Sequence, residues 1–84
     1  MNVRLTPKQK DMLIKVKKRF KWGKKLDFEE QVTSIILKGL EEYDAIDLRE
    51  LCSDYLLEVG FDESYVVNEE GRTLEELIDI LYVE

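Results

Sequence analysis

The stretch Asp27-Phe28-Glu29-Glu30-Gln31-Val32-Thr33-Ser34-Ile35-Ile36-Leu37-Lys38-Gly39-Leu40-Glu41-Glu42-Tyr43 decides the architecture of this chain, because it joins a basic segment to an acidic one. Asp27 with Glu30 three residues on reads as a carboxylate cap at a helix start. Phe28, Val32, Ile35, Ile36, Leu40 and Tyr43 then share one face at helical spacing. The spacing predicts a helix over 27–43. Gly39 sits inside that stripe at a cost of ~1 kcal/mol relative to Ala, tolerable where another backbone comes close.

Upstream, Thr6-Pro7-Lys8-Gln9 places a hydroxyl at an N-cap, proline at the first helical position and Gln at the third. From there to about Trp22, Met12, Val16 and Phe20 recur every fourth residue with Leu13 beside them. Lys17, Lys18, Arg19 and Lys21 fall in the last turns, where positive charge suits the helix dipole, and Gly23 is the expected stop. Before this helix, Asn2-Val3-Arg4-Leu5-Thr6 alternates polar and apolar as a half-buried strand does. A lone strand of this length needs a partner, and another chain would supply one.

Downstream, the face that carries Tyr43 runs on to Asp47, Glu50 and Asp54, so the apolar stripe breaks. A new one starts at Leu48, Leu51, Cys52, Tyr55 and Val59, headed by Asp47-Leu48-Arg49-Glu50. The phase change predicts two helices with a tight joint at 44–47, and Gly60 ends the later one. Tyr65-Val66-Val67 is a candidate short strand and Asn68-Glu69-Glu70-Gly71 a turn. Thr73-Leu74-Glu75-Glu76 is a second capping box, opening a helix with Leu74, Leu77, Ile78 and Leu81 inward.

The fold class expected is mainly α. A short N-terminal strand leads the helices, and a small C-terminal helical part carries the candidate strand. At 84 residues and 10.0 kDa with 44% hydrophobic residues, the chain is one compact domain, 1–84. A core this small contributes ~3–5 kcal/mol, so a partner such as a second copy is expected. The single Cys52 cannot form an internal disulfide, which favours a reducing compartment, the cytoplasm. No run approaches the ~18 apolar residues of a membrane span, and no signal peptide is expected. Histidine is absent, removing the commonest general base and zinc ligand.

Catalysis finds no motif. There is no G-x-G-x-x-G, no P-loop, no H-E-x-x-H and no C-x-x-C. Ser34, Ser53 and Ser64 have no histidine to activate them. Adjacent acids such as Glu41/Glu42 and Glu75/Glu76 suit solvated helix faces, and Cys52 on an apolar stripe suits a core. The chain is therefore expected to be non-catalytic, with no metal and no cofactor.

Charge is more informative. Residues 1–25 hold ten basic side chains and one acid, for +9, while residues 26–84 hold three bases and eighteen acids, for −15. Such asymmetry suggests a polyanion-binding end joined to an acidic remainder. The rival is internal neutralisation, in which the acidic part attracts the basic part and leaves little field for an outside ligand. Arg4 and Asn2 project from one strand face and Val3 and Leu5 from the other. Arg and Asn can pair bidentately with guanine and adenine edges in the major groove. Against this stands a plain counter-reading, a frayed chain end beside a solvated lysine face.

Val3-Arg4-Leu5-Thr6-Pro7 and Ile35-Ile36-Leu37-Lys38-Gly39-Leu40-Glu41-Glu42-Tyr43 give residues 1–43 a resemblance to the ribbon-helix-helix family of DNA-binding proteins. The resemblance implies a homodimer whose two N-terminal strands pair antiparallel into a ribbon lying in the major groove. It implies that Asn2, Arg4 and Thr6 face the bases and that the start of the second helix holds a phosphate. In small repressors of that kind, a C-terminal part such as residues 44–84 commonly serves oligomerisation or binds a protein, as in antitoxins.

Two functions are expected from these features. The first is a small dimeric regulator of prokaryotic or phage style, a repressor or antitoxin-like protein. It binds double-stranded DNA through Asn2, Arg4 and Thr6, with phosphate contacts from Lys8, Lys10, Lys24 and Lys25. The second is an interaction module or inhibitor whose acidic residues 44–84 engage a basic partner protein without DNA. Neither involves a membrane.

Overall fold

Val3 and Leu5 are buried while Arg4 between them is exposed, which is the alternation of a half-buried strand, β1 (Val3–Leu5). The chain continues through α1 (Pro7–Arg19), β2 (Asp27–Glu30), β3 (Ile35–Lys38), α2 (Glu42–Val59) and α3 (Glu69–Ile80). This computed structural model describes residues 1–82. Three helices dominate, beside a small antiparallel sheet in the order β1-β3-β2. The mainly helical class is as expected.

The segment expected as a helix over 27–43 is instead a β-hairpin. Phe28 pairs with Leu37 and Glu30 with Ile35, and Gln31 N donates to Ser34 O across the turn at 2.8 Å. The reason lies in side-chain shape. Val32, Thr33, Ile35 and Ile36 are β-branched, which disfavours helix and suits a pleated surface. Ile35 and Leu37 turn inward while Lys38 faces out. Gly39 has φ +66°, a left-handed position that ends the strand and has no place inside a helix.

With this hairpin, the order over 1–43 is strand, helix, strand, strand, and differs from the strand-helix-helix order implied by the ribbon-helix-helix resemblance. β1 pairs with β3 of its own chain, Val3 opposite Leu37 and Leu5 opposite Ile35. β1 is thus an edge strand of a sheet built within one chain. One end of this pairing is pinned by Leu40 N donating to Met1 O at 2.9 Å and by the Met1 ammonium donating to Leu40 O at 2.7 Å.

Local capping explains the helices. At the start of α1 the capping box forms as expected: Thr6 Oγ1 accepts from Gln9 N and Gln9 Oε1 accepts from Thr6 N. The helix ends at Arg19 with Lys21 in the left-handed region, three residues short of the expected end at Trp22 and its Gly23 stop. α2 is continuous, so the joint expected at 44–47 does not exist. Without a preceding helix there is no phase change to absorb, and Ala45, Leu48 and Cys52 bury in one stripe. Tyr43, expected inward, is 79% exposed.

α3 starts earlier than Thr73. Asn68 is its N-cap, with Oδ1 accepting from Gly71 N at 2.8 Å, and the Thr73 hydroxyl donates to Glu69 O. The expected turn at 68–71 is the first helical turn, because Asn caps as well as Thr and Glu69 and Glu70 suit the positive end of the dipole. Only an isolated Phe61–Val67 bridge forms where the strand Tyr65-Val66-Val67 was expected. The core gathers Val3, Leu5 and Leu37 from the sheet with Leu13 and Val16 of α1, Leu48 and Cys52 of α2, and Leu74 and Leu77 of α3. α3 packs against both other helices.

Candidate functional site

The residues expected to meet DNA are not gathered on one surface. Asn2 and Arg4 lie on the outer face of the sheet around an open depression of about 350 Å³, shared with Glu29, Gln31, Ile36 and Lys38. Asn2 Oδ1 is occupied, accepting from Gly39 N at 3.0 Å. Lys38 Nζ lies 3.8 Å from Glu29, so this face mixes both signs of charge. Thr6 spends its hydroxyl on the cap of α1.

Basic residues of α1 and of the loop after it meet acids on three other elements instead. Lys10 Nζ lies 3.1 Å from Glu30 and over the Phe28 ring. Lys8 lies 3.9 Å from Glu69 of α3, and Arg19 pairs with Glu58 of α2. Lys24 Nζ donates to Asp44 Oδ1 at 2.6 Å. That hydrogen bond, with the Coulombic attraction of the same carboxylate, holds the Lys24 ammonium above its ordinary pKa. These are the matched pairs that internal neutralisation anticipates. Lys25, and with it Lys15, Lys18 and Lys21, is exposed with no ion-pair partner among the described residues.

A groove of about 700 Å³ separates α1 from α3, with Lys8, Lys15 and Arg72 set among Asp11, Glu69, Glu70 and Glu76. Opposed signs along its rim leave no single-sign field. Cys52 is fully buried, and burial pushes its thiol up to about 12, so the sulfur stays protonated and out of reach. Among the described residues, no three His, Cys, Asp or Glu are placed to hold a metal ion. No helix among them is long and apolar enough to cross a membrane.

The acidic helices present a different surface. Opposite the buried stripe of α2, the outward face carries Asp47, Glu50 and Asp54 at helical spacing, all exposed. None has an ion-pair partner among the described residues. Tyr43 begins this face, and Leu57, 77% exposed, lies toward its other end. Beyond it, the 61–67 turn is tied by Asp62 Oδ1, which accepts from Ser64 N and Val66 N. Tyr65 there has φ +60° and is 88% exposed.

Sequence reasoning identified Asp47, Glu50 and Asp54 as one face but read it only as a break in the core stripe. It passed over the exposed Leu57, whose signal was an apolar residue off the Leu48/Cys52/Tyr55 phase. No family model, curated protein or solved structure matches this chain.

Proposed function

We propose that this protein is a non-catalytic interaction module whose acidic α2 and α3 surface binds a basic partner protein. The observation that supports it is the division of charge. Lys8, Lys10, Arg19 and Lys24 of the basic N-terminal segment face carboxylates of their own chain. Asp47, Glu50, Asp54, Glu75, Glu76 and Asp79 stand exposed on the helices. An outward field of this sign attracts cations and repels nucleic acid.

A second reading keeps the DNA-binding regulator. It draws on the exposed Lys15, Lys18, Lys21 and Lys25, which offer phosphate contacts in a dimer. One titration separates the two. In about 50 mM salt, oligolysine binds and duplex DNA does not under the first reading, and both signals weaken toward about 200 mM if charge drives them. DNA binding at low salt with a steep salt slope, and none to oligolysine, overturns the first reading in favour of the second.

A further inference from the structure

The outward face of α2 carries more pattern than an acidic surface needs. Three carboxylates, Asp47, Glu50 and Asp54, occupy its centre, and apolar side chains stand at both ends. Tyr43 is 79% exposed and Ile46 40% at one end, and Leu57 is 77% exposed at the other. At ~1.5 Å per residue, Tyr43 and Leu57 stand about 20 Å apart along the helix. Large apolar side chains held in water on both sides of a charged centre are what a helix-in-groove or helix-on-helix contact uses as anchors.

Resting on the interaction-module reading, we infer that this face docks a helical segment of a partner protein, one with lysine or arginine at its centre and apolar side chains toward its ends. Charge decides between occupants. A second copy meeting through the same face brings six carboxylates together, and an anionic membrane or nucleic acid meets the same repulsion. A cationic centre instead pairs with Asp47, Glu50 and Asp54 while its apolar ends cover Tyr43 and Leu57. Arg19 on Glu58 closes one flank of the stripe and leaves those three acids to the partner.

The test uses the full chain and a synthetic helical peptide of about 18 residues, long enough to cover the stripe at ~1.5 Å per residue. Its lysines lie mid-face and its leucines near both ends; a control peptide has the same composition with those positions exchanged. The matched peptide binds at least tenfold tighter than the exchanged one, with backbone NMR shifts concentrated on residues 43–61. Tyr43→Ser and Leu57→Ser each remove about tenfold for the matched peptide and leave the exchanged one unchanged. Both positions are exposed, and an unchanged circular dichroism spectrum confirms the fold.

Equal binding of the two peptides, or shifts confined to α3, overturns this inference while the interaction-module reading stands. No binding of either peptide or of oligolysine at low salt overturns both. Dimerisation, or binding to phosphatidylglycerol vesicles, that Tyr43→Ser and Leu57→Ser abolish also overturns the inference, because the face then belongs to another occupant.

Discussion

Gly71→Ala tests the junction that holds α2 to α3. A Cβ built at Gly71 lies 2.3 Å from Gly60 O, 2.8 Å from Val67 Cγ1 and 3.0 Å from Gly60 C. Carbon and oxygen rest no closer than ~3.3 Å, so α3 must retreat by roughly 1 Å from the end of α2. The oxygen is backbone and cannot swing aside. Overpacking costs ~1–3 kcal/mol, and overlap with both Gly60 O and Val67 Cγ1 puts Gly71→Ala at the upper end. Alanine's helix preference, at most ~1 kcal/mol, returns only part of that in a first turn. A net loss of about 2 kcal/mol lowers the melting temperature of a domain this size by ~8–16 °C. Gly39→Ala, with φ +66° but nothing within 4 Å, loses only the left-handed penalty of ~1–2 kcal/mol. Gly23→Ala meets open space and is near neutral. Thermal and urea unfolding of the three variants should rank Gly71 worst and Gly23 least. A Gly71→Ala protein melting with the wild type refutes the backbone contact.

Burial raises the Cys52 thiol from 9.0 to about 12, so its proton is held more tightly in the folded than in the unfolded chain. Its stabilisation is complete below pH 9 and lost as pH rises toward 12, at no more than ~1.4 kcal/mol per unit. Lys24, raised above 10.5, acts in the same direction at higher pH. Urea midpoints should fall in this alkaline window and fall less steeply in Cys52→Ala; parallel curves for both proteins refute the assignment. Thr6→Ala removes one half of the capping box and should cost ~1 kcal/mol in the same assay, largely restored by Thr6→Ser. An undiminished midpoint in Thr6→Ala means the hydroxyl is not needed for the start of α1.

Legibility followed how local the cause was. The cap of α1 needed only Thr6, Pro7 and Gln9 in order, and the buried Met12, Leu13 and Val16 needed only their spacing. Leu74, Leu77 and Leu81 were read inward correctly even though the start of α3 was placed at Thr73, because periodicity survives an error at the boundary. The hairpin was misread because Phe28 and Ile35, which lie on the strand face turned to the core, also fall at helical spacing with Leu40. The β-branched cluster at 32–36 and the glycine at 39 carried the contrary signal. The expected DNA-contact residues fared differently: Asn2 and Lys24 look equally available in a sequence whether or not Gly39 N and Asp44 await them.

By itself, then, the order of residues determined the charge division, the capped start of α1, the apolar stripes and the lack of a histidine or a second thiol, since each is a property of neighbours along the chain. Tertiary structure alone decided that β1 lies against β3, that the basic segment meets carboxylates from β2, α2 and α3, and that Tyr43 and Leu57 remain in water. Those outcomes depend on which distant segment covers which face. A strand accepts any edge of matching register, and a lysine any carboxylate within reach, so only the closed packing of the core selects among them.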